Sequence, residues 1–180
     1  MTPTQLLEKM IDDAFGGPQF RPPRGPAPIV PHPAAKTGPV PMGKGAPVSV
    51  TSPFGDRVHP VTHKPSSHAG VDLGAKMGDP VFAIYSGIVV QVKQSSTAGL
   101  HVVVAHQQSV TSTYMHLSAT NVSQGQSVAA GTQIGSVGKS GRVTGAHLHL
   151  EIRVDGRAVP PTADQASRAL GRPIKGDVAR

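Results

Sequence analysis

Four stretches of the chain are rich in β-branched and apolar residues and have the length of strands: VFAIYSGIVVQV (81–92), LHVVVAH (100–106), VTSTYMHL (110–117) and LHLEIRV (148–154). Between them lie glycine-based turns, STAG, SQGQ and AAGTQIGSVGKSG. The pattern predicts an all-β unit of many short strands over 48–161. Within it, GAHLHLEIRV (145–154) alternates strictly. Strand side chains point to opposite faces in turn, so Leu148, Leu150 and Ile152 form an apolar row and His147, His149 and Glu151 a polar one. The apolar row reads as core. The polar row projects from a rigid element and calls for a chemical reason. Glu151 itself reads as solvated, with support of a neighbouring site residue as the alternative.

The ends of the chain follow other periods. Leu6, Leu7, Met10, Ile11, Ala14 and Phe15 recur at helical spacing in TPTQLLEKMIDDAF. Thr2 suits the N-cap, Pro3 the first helical position and Gln5 a capping box, and Gly16–Gly17 stop the helix. A helix this short is marginal alone, so residues 1–17 dock on the main domain, meet a partner or a second copy, or fray. Prolines then crowd residues 18–47, which read as an extended linker. In the tail, 162–180, TADQASRALG predicts one short capped helix ending at Gly171, peripheral to the β unit.

Composition narrows the function classes. The chain has 180 residues, 21 Gly, 18 Pro and no Cys, which excludes disulfides, thiolate metal sites and a cysteine nucleophile. The net charge of +7 is dispersed. With no dense basic run and only 3% aromatic residues, the chain lacks the footprint of a nucleic-acid binder. A mild positive field suits an anionic partner such as bacterial cell wall, or serves solubility alone. No stretch approaches the roughly 20 apolar residues of a membrane span, and Glu8, Asp12 and Asp13 interrupt the only candidate for a signal peptide.

Nine histidines are many for this length, and most lie in the β region. His68 and Asp72, in HAGVDLGA, are four residues apart and are expected to share a face. His147 and His149 flank one leucine, and His116 ends a strand in YMHL. Imidazole nitrogens and a carboxylate suit zinc, and a catalytic zinc keeps three protein ligands and one open position. One His, one Asp and a second His would supply that set. Other histidines could move protons or stabilise charge. The HExxH motif is absent. Each motif alone is common; their order and spacing together are specific.

SPFGDRVHPVTHKPSSHAGVDLGAKMGDPVFAIYSGIVV, YMHLS and GQSVAAGTQIGSVGKSGRVTGAHLHLEIRVDGRAVPP together resemble the lysostaphin-type (LytM) zinc endopeptidases, peptidase family M23, from about Ser52 to Pro161. The resemblance implies a mainly β fold: an antiparallel sheet core with a groove-type metal site, flanked here by the short N- and C-terminal helices. It implies one Zn2+ held by His68, Asp72 and His149. His116 and His147 become the unbound catalytic histidines, either of them the base. His59, in RVHP, and Arg142, in the GKSGRVTGAH turn, are implied substrate contacts. Met115 stands where the family often has a small residue, and the Arg142 turn replaces a loop richer in Ser and Thr; both bear on substrate fit.

The implied activity is hydrolysis of a peptide bond in a peptidoglycan cross-link or stem peptide. The diaminopimelate type of bond is favoured, because no separate targeting domain for glycine-bridged walls is visible. The alternative is a catalytically silent wall-binding or regulatory module. A carrier-domain reading of DPVFAIYSGIVVQV and GQSVAAGTQIGSVG fails for want of a lysine hairpin between the halves. A wall enzyme without a signal peptide would reach its substrate in a phage virion, a lysis system or a dedicated export machine. Residues 1–47 could attach it to such an assembly. His63, His101 and His106 read as surface or strand residues.

Overall fold

The computed structural model describes Gly43, residues 45–58 and residues 65–179. The expected N-terminal helix, nearly all of the linker, His32, His59 and His63 lie outside the described residues.

The expected all-β unit is present as β1 (Val48–Ser52), β2 (Gly55–Val58), β3 (Pro65–His68), β4 (Val71–Gly74), β5 (Pro80–Phe82), β6 (Gly87–Ser95) and β7 (Gly99–Ala105). It continues through β8 (Val110–Thr120), β9 (Ser127–Val128), β10 (Gln133–Val137), β11 (Leu148–Val154), β12 (Arg157–Val159), the helix α1 (Ala163–Leu170) and β13 (Ile174–Lys175). The main sheet runs β13-β1-β4-β11-β8-β7-β6-β9, with β12 on β11 and β10 joining β8 to β5. Its pairings are antiparallel except β1 with β13. β2 and β3 form a separate two-stranded ribbon. Asp155 and Gly156, at φ 50° and 75°, make the tight turn from β11 to β12, as an Asp-Gly pair does where both central residues need positive φ.

One face of the sheet is the core. Leu148, Leu150 and Ile152 of β11 are buried with Val71 and Leu73 of β4, Tyr114 and Leu117 of β8, and Val102 and Val104 of β7. Each such side chain contributes roughly 1.5–3 kcal/mol by leaving water. Burial there fixes register, since a slip of one residue would turn the whole apolar set outward. α1 starts with the predicted capping box, Thr162 with Gln165, and ends at Gly171 in the left-handed conformation. Contrary to expectation it is not peripheral: Ala166, Ala169 and Leu170 belong to the main core. The chain after it pairs with β1 and bonds back to Phe54 through the Val178 carbonyl.

β8 changes partners midway. Its residues Val110–Met115 pair with β11, and Leu117, Ala119 and Thr120 pair with β10. At the changeover two residues, Met115 and His116, face the single residue His101 of β7. This is a β-bulge, and His116 sits in it at φ 66°, a conformation uncommon for any residue but glycine.

Candidate metal centre

The site lies on the polar face of the sheet. Asp72 of β4 is the direct register partner of His149 of β11, and opposed residues of an antiparallel pair project to the same side. Asp72 Oδ1 lies 2.8 Å from His149 Nδ1. His68 arrives from the small ribbon. The expected shared face of His68 and Asp72 does not come from regular strand or helix spacing. His68 ends β3, and a bend at Ala69–Gly70 carries the chain into β4. The bend needs Gly70: a Cβ there would lie 2.6 Å from His149 Nε2 and 2.5 Å from the Leu150 carbonyl oxygen.

His68 Nδ1 donates to the Pro53 carbonyl, 2.8 Å away, so its Nε2 carries the lone pair. That Nε2 is 3.2 Å from Asp72 Oδ1 and 3.1 Å from His149 Nδ1. One ligand atom from each of His68, Asp72 and His149 thus falls within 4.8 Å of the others, a separation and donor set that could hold a metal ion. The electrostatics favour a cation. Burial opposes ionisation of Asp72, but the neighbouring imidazoles, His149 first and then His68, outweigh it and hold the carboxyl far below the usual range. Burial also opposes a charge on His149, and the Asp72 and Glu151 carboxylates more than offset it.

Glu151 is not solvated as expected. It is 6% exposed, with Oε2 3.8 Å from His149 Nε2 and Oε1 bound to the Arg153 guanidinium. Burial works against its charge, and His149 and Arg153 prevail, so it stays ionised. Strand alternation put it in the right row. What the alternation could not show is that the row is covered.

His116 and His147 meet beside this cluster, with ring centroids 4.8 Å apart. By plain alternation His116 would join Tyr114 on the core face. The bulge turns it back, to 6.1 Å from the His149 ring centroid. Its Nδ1 donates to the Ser140 carbonyl at 2.9 Å, and His147 Nδ1 donates to the Gly145 carbonyl at 3.0 Å. Each ring therefore keeps a lone pair on Nε2; that of His147 is 3.7 Å from Asp72 Oδ1. Burial is the main reason that His116 has its pKa brought down to about 4, with the Ser140 carbonyl opposing and His147 assisting the shift.

Of the remaining candidates, Arg142 is exposed on the loop that holds both Ser140 and Gly145. His101 and His106 are buried structural groups. His101 Nδ1 donates to the Gly99 carbonyl, and His106 bridges the Ser86 carbonyl and the Ser112 hydroxyl.

The family model for peptidase family M23 matches residues 66–161, more than half of the chain, and the match takes in all five clustered residues. The chain belongs to peptidase family M23. Both stretches that resembled carrier half-motifs fall inside this M23 domain. Over 103 residues the chain is 43% identical to the peptidoglycan DD-endopeptidase ShyA of Vibrio cholerae, covering 57% of this chain and 24% of that protein. The chain thus spans about a quarter of that relative. Among solved structures, the catalytic domain of the prophage-encoded M23 protein EnpA from Enterococcus faecalis is similar at 34% identity and TM-score 0.56, over 67% of this chain and 93% of that one. The catalytic domain of lysostaphin from Staphylococcus simulans is similar at 32% identity and TM-score 0.51, over 59% and 77%. The M23 fold accounts for the antiparallel sheet described above.

Proposed function

We propose that this M23 domain is a zinc-dependent endopeptidase that cuts peptide bonds in peptidoglycan, at the D,D cross-links between stem peptides. The observation that carries the reading is the convergence of three ligand atoms within 4.8 Å beside two histidines that present Nε2 lone pairs. His68 Nε2, an Asp72 oxygen and His149 Nδ1 would hold one Zn2+ and leave the open position of a catalytic site. When bound, the ion supplies Lewis-acid polarisation of a carbonyl and acidifies a water.

The chain's own residues do the rest. His116 is neutral at neutral pH because of its depressed pKa, so its Nε2 accepts a proton. His147 presents the same atom from the other side. Between them they can take a proton from water and return one to the leaving amine, and the protonated ring stabilises the oxyanion. The carbonyls of Ser140 and Gly145 hold the two rings in the productive tautomer. Arg142, exposed on that loop, and His59 would contact the substrate. Similarity to the peptidoglycan DD-endopeptidase ShyA favours the D-alanyl–diaminopimelate bond over a glycine bridge.

The domain would act at the bacterial cell wall, carried there in a phage virion, with a lysis system or by specialised export, and residues 1–47 would tether it to that assembly. A variant without residues 1–47 that still joins the same assembly would contradict the tether. The activity is tested by muropeptide mass spectrometry on sacculi of both wall types, with zinc-loaded and chelator-treated protein. New D-alanine and diaminopimelate termini, lost with the chelator, are expected. Zinc-loaded protein that releases no product from either wall would replace this reading with a silent wall-binding module.

A further inference from the structure

The loop between β10 and β11 does more than pass over the site. The hydroxyl of Ser140 lies between two backbone groups of neighbouring strands. It accepts from the Leu100 N–H at 2.9 Å and donates to the Leu117 carbonyl at 2.7 Å. Leu100 and Leu117 are the ladder partners of β7 and β8 beside the bulge. The bulge breaks the regular ladder there, and a group that both donates and accepts is what spans such a break. The same residue's carbonyl takes the His116 Nδ1 proton at 2.9 Å. One residue thus binds the strand on each side of the bulge and the imidazole that the bulge turns.

Two further features hold it there. Gly99 opens β7, and a Cβ on it would fall 2.2 Å from Ser140 Oγ, so the strand must be bare at this point. Beyond Ser140, the Arg142 N–H bonds to the Thr97 carbonyl, and the His116 N–H bonds to the Ala98 carbonyl. The β6–β7 turn, the bulge and the loop are therefore stitched into one body around His116. His116 itself sits at φ 66°, where a residue other than glycine stays only if its surroundings hold it.

We propose that Ser140 is a positioning residue for His116: its hydroxyl closes the broken β7–β8 ladder, and so sets its own carbonyl to fix the His116 ring with the proton on Nδ1 and the lone pair on Nε2. The inference rests on the catalytic reading of His116 given above. It assigns Ser140 no contact with substrate or metal.

The test is Ser140→Ala in the full chain, with Ser140→Thr, which keeps a hydroxyl, and His116→Ala beside it. Three quantities are read: turnover on sacculi bearing D-alanyl–diaminopimelate cross-links, zinc bound per chain, and the tautomer of the His116 ring from its 15N NMR shifts. Ser140→Ala is expected to lower kcat about tenfold with zinc content and KM unchanged, and to turn a single Nδ1–H tautomer into a mixture. Ser140→Thr should restore both. A Ser140→Ala protein with wild-type kcat and an unchanged tautomer, while His116→Ala is inactive, would overturn the role of Ser140. A fully active His116→Ala protein would overturn the catalytic reading instead, and the tautomer in Ser140→Ala would still decide whether Ser140 positions the ring.

Discussion

The two faces of β11 are made by alternate residues of one strand, yet they are held by different forces. On one face Leu148, Leu150 and Ile152 vanish into the core against Leu73 and Tyr114. On the other, His149, Glu151 and Arg153 stand in a row with Asp72, Met115 and Thr113 as cross-strand neighbours. The apolar face is cohesive without being directional, and it sets the register. The polar face would not assemble by itself, because burial works against the charges of Asp72 and Glu151. It inherits its geometry from the register that the other face enforces. Chemistry on the second face is thus only as exact as packing on the first.

The largest effect is expected where His68, Asp72 and His149 converge. His149→Ala removes a proposed ligand and leaves the core row intact. Metal affinity should fall on the order of 10³-fold or more, read by chelator competition, and the metal-free protein should lose some stability because Asp72 loses its His149 partner. The reverse is expected of Leu150→Ala, which should cost about 3 kcal/mol of stability in denaturant melts. At low temperature that variant should still bind metal, with weakened affinity if register and site are coupled as described.

His147→Ala sharpens the polar side. It should keep the metal and lose about 10²-fold in turnover. Smaller again is Glu151→Gln, which weakens the negative group facing His149 Nε2. A loss of about tenfold in metal affinity is expected, with the fold unaffected.

The smallest effect concerns the polar chain on the core side, where His106 meets Ser112 and Ser112 meets Tyr114. Burial lowers the His106 pKa, with the Ser86 carbonyl opposing. The unfolded chain binds this proton more readily than the folded one, so the contribution of His106 is complete above the ordinary histidine value of 6.5 and is lost as pH falls below it. His106→Gln should flatten that limb of the stability–pH curve relative to the wild type; parallel curves would contradict the assignment.

What alternation shows in a sequence, and what it hides, follows from the same contrast. The HLH row, the strands and the capped helix at Thr162–Gly171 were legible because each depends on local period or local capping. His116 was visible as a strand-end histidine, but its role came from family resemblance: plain period would have put it in the core, and a bulge depends on the count of residues in two strands at once. The burial of Glu151 and the docking of α1 were hidden for the same reason. Each is decided by what packs against the segment, not by the segment. Asp155–Gly156 was a readable hairpin signal, a positive-φ pair between two apolar runs, that the strand pattern alone passed over.

On the proposed function, strand register brings His68, Asp72 and His149 to one ion. Anomalous diffraction at the zinc edge from crystals grown with zinc tests it most directly. One strong peak is expected among His68 Nε2, the Asp72 carboxylate and His149 Nδ1, absent in His149→Ala crystals. Zinc bound elsewhere, or a peak that survives the loss of His149, would contradict it.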